Sequence, residues 1–148
     1  LGAVYTRQML DASVRVEILN LLRGIQDSHN LTLIYITHDL STVRYFASRI
    51  FVMYAGRIVE QAQVDELLEH PQHPYTQALL SAVPTHDPVR EETRERIILT
   101  GDVPSPADPP SGCPFRTRCP SAESKCAEEV PELRQIETGH RVACHLVA

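Results

Sequence analysis

His38 and Asp39 stand at the end of an apolar, β-branched run, Leu31–Thr37 (LTLIYIT). Open α/β sheets bind ligands at the carboxyl ends of their buried parallel strands, so an imidazole delivered there is placed for phosphate chemistry. It can donate a hydrogen bond to a phosphate oxygen near neutral pH and respond to a change of charge. The plainer reading is a strand-exit histidine followed by an aspartate that caps the next helix. A second set is Cys113, Cys119, Cys126 and Cys144, spaced C-x5-C-x6-C-x17-C, with proline directly after the first two. The close Cys pair usual in structural zinc sites is missing. Four thiolates with a Cys-Pro step suit a cubane [4Fe-4S] centre, and zinc or no metal at all are the alternatives. His140 and His145 flank Cys144, but no third group that would orient a Cys/His nucleophile is legible. His70 and His73 form H-x2-H, each followed directly by proline. A rigid turn leading into a docking helix explains them better than a metal pair.

The elements that must position these residues follow from periodicity. From Asp11, a candidate N-cap, Val14, Ile18, Leu21, Leu22 and Ile25 make one apolar helical stripe, closed by Gly24 and 27–30. Leu31–Thr37 reads as a central parallel strand, apolar on both faces. A short helix runs to Ala47, and Arg49–Tyr54 and Arg57–Gln61 form a hairpin turning at Ala55-Gly56. Val64–Glu69 reads as a helical turn or two, and Tyr75–Val83 as a helix entered through Pro74. Pro84, Pro88, Gly101, Pro104, Pro106, Pro109 and Pro110 mark a linker with one possible strand, Arg96–Thr100. The expected organisation is an α/β domain over 1–83, a linker over 84–110 and a Cys-rich module over 111–148.

Composition narrows the function. A net charge of −5 and a pI near 5.8 argue against a nucleic-acid binder that works by neutralising phosphates. No run approaches the ~20 apolar residues of a membrane span, and the first residues lack the layout of a signal peptide. A cytoplasmic address is expected, where four cysteines are metal ligands or buried thiols sooner than disulfides.

Three stretches carry a resemblance: MLDASVRVEILNLL, LIYITHDLSTVR, and MYAGRIVE followed by HPQHPYTQALLSAVP. With GDVPSPADPPSGCPFRTRCP and GHRVACHL, they make the chain from Met9 to Ala148 resemble the carboxyl-terminal part of the ATP-binding subunit of a bacterial oligopeptide/dipeptide ABC transporter. The resemblance implies a partial ABC-ATPase nucleotide-binding fold. It implies that His38 contacts the terminal phosphate and helps organise the attacking water, and that Asp11 works across the interface of two ATP-binding subunits. It also implies ATP and Mg as cofactors of the full-length subunit and, in some members, a [4Fe-4S] cluster in the cysteine tail.

The implied partners are a second ATP-binding subunit, the membrane-spanning subunits and, indirectly, a peptide-binding protein, at the cytoplasmic face of the membrane. Departures from the pattern matter as well. No G-x-x-x-x-G-K-[ST] loop, signature loop or glutamine loop is present, and Val4 and Tyr5 stand where the family has its magnesium-binding aspartate and catalytic glutamate. This chain alone is therefore expected to be a fragment that does not hydrolyse ATP, and to form a homo-oligomer through its open edges. The rival from another class is a non-enzymatic metal-binding interaction module.

Overall fold

The computed structural model describes residues 12–83, 96–105 and 107–147. These fall into two compact units, Leu1–His38 and Asp39–Ala148.

In the first unit, α1 runs over Ala12–His29. The proposed cap, Asp11, lies outside the described residues, as do Val4 and Tyr5. Gly24 does not stop the helix. It ends a turn later, where Asn30 takes the left-handed conformation (φ 50°) and the Leu31 N–H returns to the Gln26 carbonyl at 3.1 Å. That six-to-one bond over a left-handed residue is the Schellman closure, and asparagine is the side-chain-bearing residue that tolerates it best. The strand expected over Leu31–Thr37 does not form: the segment is irregular and belongs to no sheet among the described residues. A β ladder needs a neighbour to complete it, and composition alone does not supply one.

In the second unit, α2 (Leu40–Phe46) leads into β1 (Arg49–Tyr54) and β2 (Arg57–Gln63). Ala55 and Gly56 both have positive φ, 46° and 78°, as a two-residue hairpin turn matched to strand twist requires. α3 (Val64–Glu69) and α4 (Pro74–Ser81) follow. The tail adds the short α5 (Lys125–Glu128), β3 (Arg134–Glu137) and β4 (His140–Val142). The sheet order is β1-β2-β4-β3 and every pairing is antiparallel, so the mixed α/β class holds while the expected parallel strand is absent from the sheet.

β1 alternates cleanly, with Ile50, Val52 and Tyr54 inside. β2 does not. Its register slips opposite Val52/Met53, and Val59 and Glu60, adjacent in sequence, are both buried. A bulge of this kind adds one unpaired residue and re-aims its neighbours. The freed Val59 carbonyl receives the Ala143 N–H at 2.8 Å, so the irregularity is also where the tail attaches. Val43, Ile50, Val52, Tyr54, Val59, Ala62, Val64 and Leu67 form one core with Cys113, Phe115 and Cys126 from the tail. The possible strand Arg96–Thr100 is not a strand either. It is held by single contacts: the Ile97 N–H donates to Ser81 Oγ at 3.0 Å, and Leu99 packs on the core.

Candidate functional site

His38 is exposed where the 31–37 segment ends, two residues ahead of α2. The residue proposed with it, Asp11, is outside the described residues.

The second unit is more fully determined. Its centre is Glu60, completely buried on β2. Its Oε1 accepts the Gln72 N–H at 2.8 Å and its Oε2 accepts the His73 N–H at 3.0 Å. His140 Nε2 lies 2.8 Å from Oε1, and His140 Nδ1 lies 3.4 Å from Oε1 of Glu66. With a carboxylate at each end of the ring, a nitrogen that bonds there must donate. A buried carboxylate is tolerable when its lone pairs are met in this way, and here they clasp three places in the chain: β2, the 70–73 turn and β4.

The His-Pro-Tyr turn is a helix start. His73 Nδ1 accepts the Tyr75 N–H at 3.0 Å, so the imidazole caps α4, and Pro74 takes the first helical position, where its missing N–H costs nothing. Capping requires the neutral ring. Burial supplies that by lowering the His73 pKa from 6.5 to about 4, against the opposing pull of Glu60. Tyr75 then meets Tyr54 edge-on with ring centroids 4.8 Å apart. Phe115 sits 5.1 Å from Tyr54, 5.4 Å from Tyr75 and 5.5 Å from His73. The aromatic residue between the first two cysteines therefore anchors the tail on the turn.

All four cysteines are free thiols. Burial pushes the thiols of Cys113, Cys119 and Cys144 above the ordinary value, and in each case neighbouring cysteines raise it further. The sulfurs thus lie within electrostatic reach of one another. Even so, no group of three or more His, Cys, Asp or Glu side chains among the described residues has the geometry to hold a metal ion. The donor chemistry suits iron or zinc, but the arrangement as it stands does not form a ligand shell. The histidines beside Cys144 are engaged elsewhere: His140 with Glu60, and His145 Nε2 with the Glu129 carbonyl at 3.0 Å. Neither is poised as a base for a thiol nucleophile.

Against known proteins, the model for the oligopeptide/dipeptide transporter C-terminal region matches residues 59–126, the span from the bulge to the third cysteine. A protein of Brucella ovis named for peptide import and ATP binding is 53% identical over 135 residues, covering 91% of this chain and 42% of that relative. By that match and that identity, the chain is similar to the carboxyl-terminal part of the ATP-binding subunits of the oligopeptide/dipeptide transporter family. Within that family, the oligopeptide transport ATP-binding protein AppF of Bacillus subtilis is 48% identical over 137 residues, 93% of this chain and 42% of its own length. The chain thus spans about two fifths of these curated relatives. The matched transporter region contains Glu60, His73, Tyr75, Phe115 and three of the cysteines.

Sequence reasoning missed Glu60 and the role of His140. A signal existed for Glu60: it is a lone acid in an otherwise inward-facing strand position opposite Val52. For His140 there was none, because its partner lies 80 residues away.

Proposed function

We propose that this chain is the carboxyl-terminal part of an ATP-binding subunit that couples ATP hydrolysis to peptide import. His38 meets the terminal phosphate of ATP and helps to organise the attacking water, and Asp11 acts across the interface with a second ATP-binding subunit. ATP and Mg are cofactors of the full-length subunit. Its other partners are the membrane-spanning subunits and, through them, a peptide-binding protein, and it works as a peripheral protein on the cytoplasmic face. No helix among the described residues is long and apolar enough to cross a membrane. The observation that carries this reading is the 53% identity over 135 residues to a protein named for peptide import and ATP binding, a match that covers most of the chain. By itself, this chain is proposed not to hydrolyse ATP, since it has no glycine-and-lysine cradle for the phosphates.

The test is His38→Ala in an assembled transporter whose ATP-binding subunit carries this sequence. Loss of one preorganised donor at a developing charge typically slows turnover ~100- to 1000-fold. Hydrolysis should fall by that order while nucleotide binding persists; wild-type turnover would overturn the assignment of His38. A metal on Cys113, Cys119, Cys126 and Cys144 is a separate proposal, favoured by the mutual proximity of the thiols. On protein purified without oxygen, iron and sulfide near about four each per chain would support a [4Fe-4S] cluster. One zinc without sulfide would support the structural alternative, and neither metal would remove the proposal.

A further inference from the structure

The cysteine cluster has one pair that a backbone hydrogen bond joins directly. The Cys113 N–H donates to the Cys126 carbonyl at 2.8 Å. A single bond of that length, with the covalent geometry on either side, keeps the two Cα atoms within about 6.7 Å of each other, inside the roughly 4.4–6.8 Å limit of a disulfide. Gly112 makes the approach possible. Its φ is +65°, and a Cβ there would lie 2.4 Å from the Cys126 carbonyl oxygen and 2.8 Å from the Ala127 carbonyl carbon. No such backbone bond joins Cys119 or Cys144 to another cysteine among the described residues.

Both thiols are buried, Cys113 at 9% and Cys126 at 6% exposure, but only one borders a groove. Cys113 lines an open groove of about 680 Å³ with Met53, Ile58, Val130, Pro131 and Leu133. Cys126 is buried and is not part of that lining.

We propose that Cys113 and Cys126 are a redox pair, closed to a disulfide by a small-molecule disulfide that enters through this groove. The Cys113 thiolate attacks one sulfur of the oxidant, forming a mixed disulfide and releasing one small thiolate. Cys126 then gives up its proton and attacks Cys113 Sγ, and the second small thiolate leaves. Two protein thiols are oxidised to one disulfide, and the oxidant is reduced to two thiols that take up the two protons. Burial slows the first step, because it disfavours the thiolate. The Phe115 N–H works the other way, by hydrogen-bonding the Cys113 sulfur. Closure removes two of the four thiols from any metal, so the oxidised chain and a metal-loaded chain are exclusive states. This inference does not depend on the transport reading.

Trypsin separates the four cysteines into peptides 97–116, 119–125, 126–134 and 142–148, which makes the test direct. The full chain, reduced and stripped of metal by a chelator, is exposed to oxidised glutathione and mapped without reduction. Peptide 97–116 should be linked to 126–134, with the intact mass lower by two hydrogens. Cys126→Ala should stop at a glutathione adduct on Cys113, and Cys119→Ser should still close. Circular dichroism confirms that each variant is folded; if Cys126→Ala is not, the wild-type map alone decides. A main product joining Cys119 or Cys144 would overturn the proposal. So would adducts that never resolve, or no reaction at all.

Discussion

Leu31–Thr37 and Arg49–Tyr54 are similar as sequences, both apolar and rich in residues that favour strands, yet they end differently. Arg49–Tyr54 has β2 beside it and buries every second side chain. Leu31–Thr37 joins no sheet among the described residues, and Ile34 and Ile36 are 87% and 92% exposed. A strand is a relation between two stretches of chain. Composition nominates a candidate, and a partner of the right register makes it a strand. The same lesson covers Arg96–Thr100, which has strand-like residues and no ladder.

If partners decide the outcome, the paired region should break most severely at the residue with the most partners. Glu60→Ala leaves the Gln72 and His73 N–H groups and His140 without their acceptor. Removing one member of a buried charged network costs on the order of 3–5 kcal/mol. Urea unfolding followed by circular dichroism should show that loss, and a cost under ~1 kcal/mol would mean the clasp carries little.

The next effect is one of pH. The His73 pKa falls from 6.5 to about 4 on folding. Below 6.5 the unfolded chain takes up a proton that the folded chain refuses, so stability is complete above that value. It should decline as the pH drops toward about 4, by up to roughly 3 kcal/mol. His73→Asn keeps a capping side chain but does not titrate, and it should flatten that part of the profile. An unchanged slope would show that another group controls acid stability.

What the sequence disclosed divides along the same line. The hairpin, α3 and α4 were legible because each is specified locally: a turn with two positive φ values, a proline at the first helical position, short apolar spacing. The antiparallel addition of β4 to β2 was not legible, because Glu60 and Val142 pair across 82 positions and nothing local announces it. In the candidate site, His38 is nominated only by its place after an apolar run, and its role remains a proposal. His73 was recognised as part of a rigid turn, but its use as a cap by way of Nδ1 required the coordinates.

Smaller effects refine the contrast. Val52→Ala, in the core of the paired strand, should cost on the order of 2 kcal/mol, as loss of buried methyl groups does. Gly56→Ala meets no atom within 4 Å, so its cost is purely the strain of positive φ, about 1 kcal/mol. A much larger loss would mean that the turn is held by something other than its backbone conformation.

The smallest effect is the sharpest test. At a dilution where the chain is monomeric, Ile36→Ala should change stability by no more than about 0.5 kcal/mol, since the side chain has almost nothing to lose. At micromolar concentration the same region behaves differently. Exposed isoleucines on a segment outside any sheet, together with a free β1 edge, favour association. Light scattering should therefore show a dimer or larger species. Ile34→Lys with Ile36→Lys should return it to a monomer while leaving the urea midpoint of the dilute protein in place. A clean wild-type monomer at that concentration would show that neither segment nor edge needs a partner in solution, and the comparison between the two stretches would then concern packing alone.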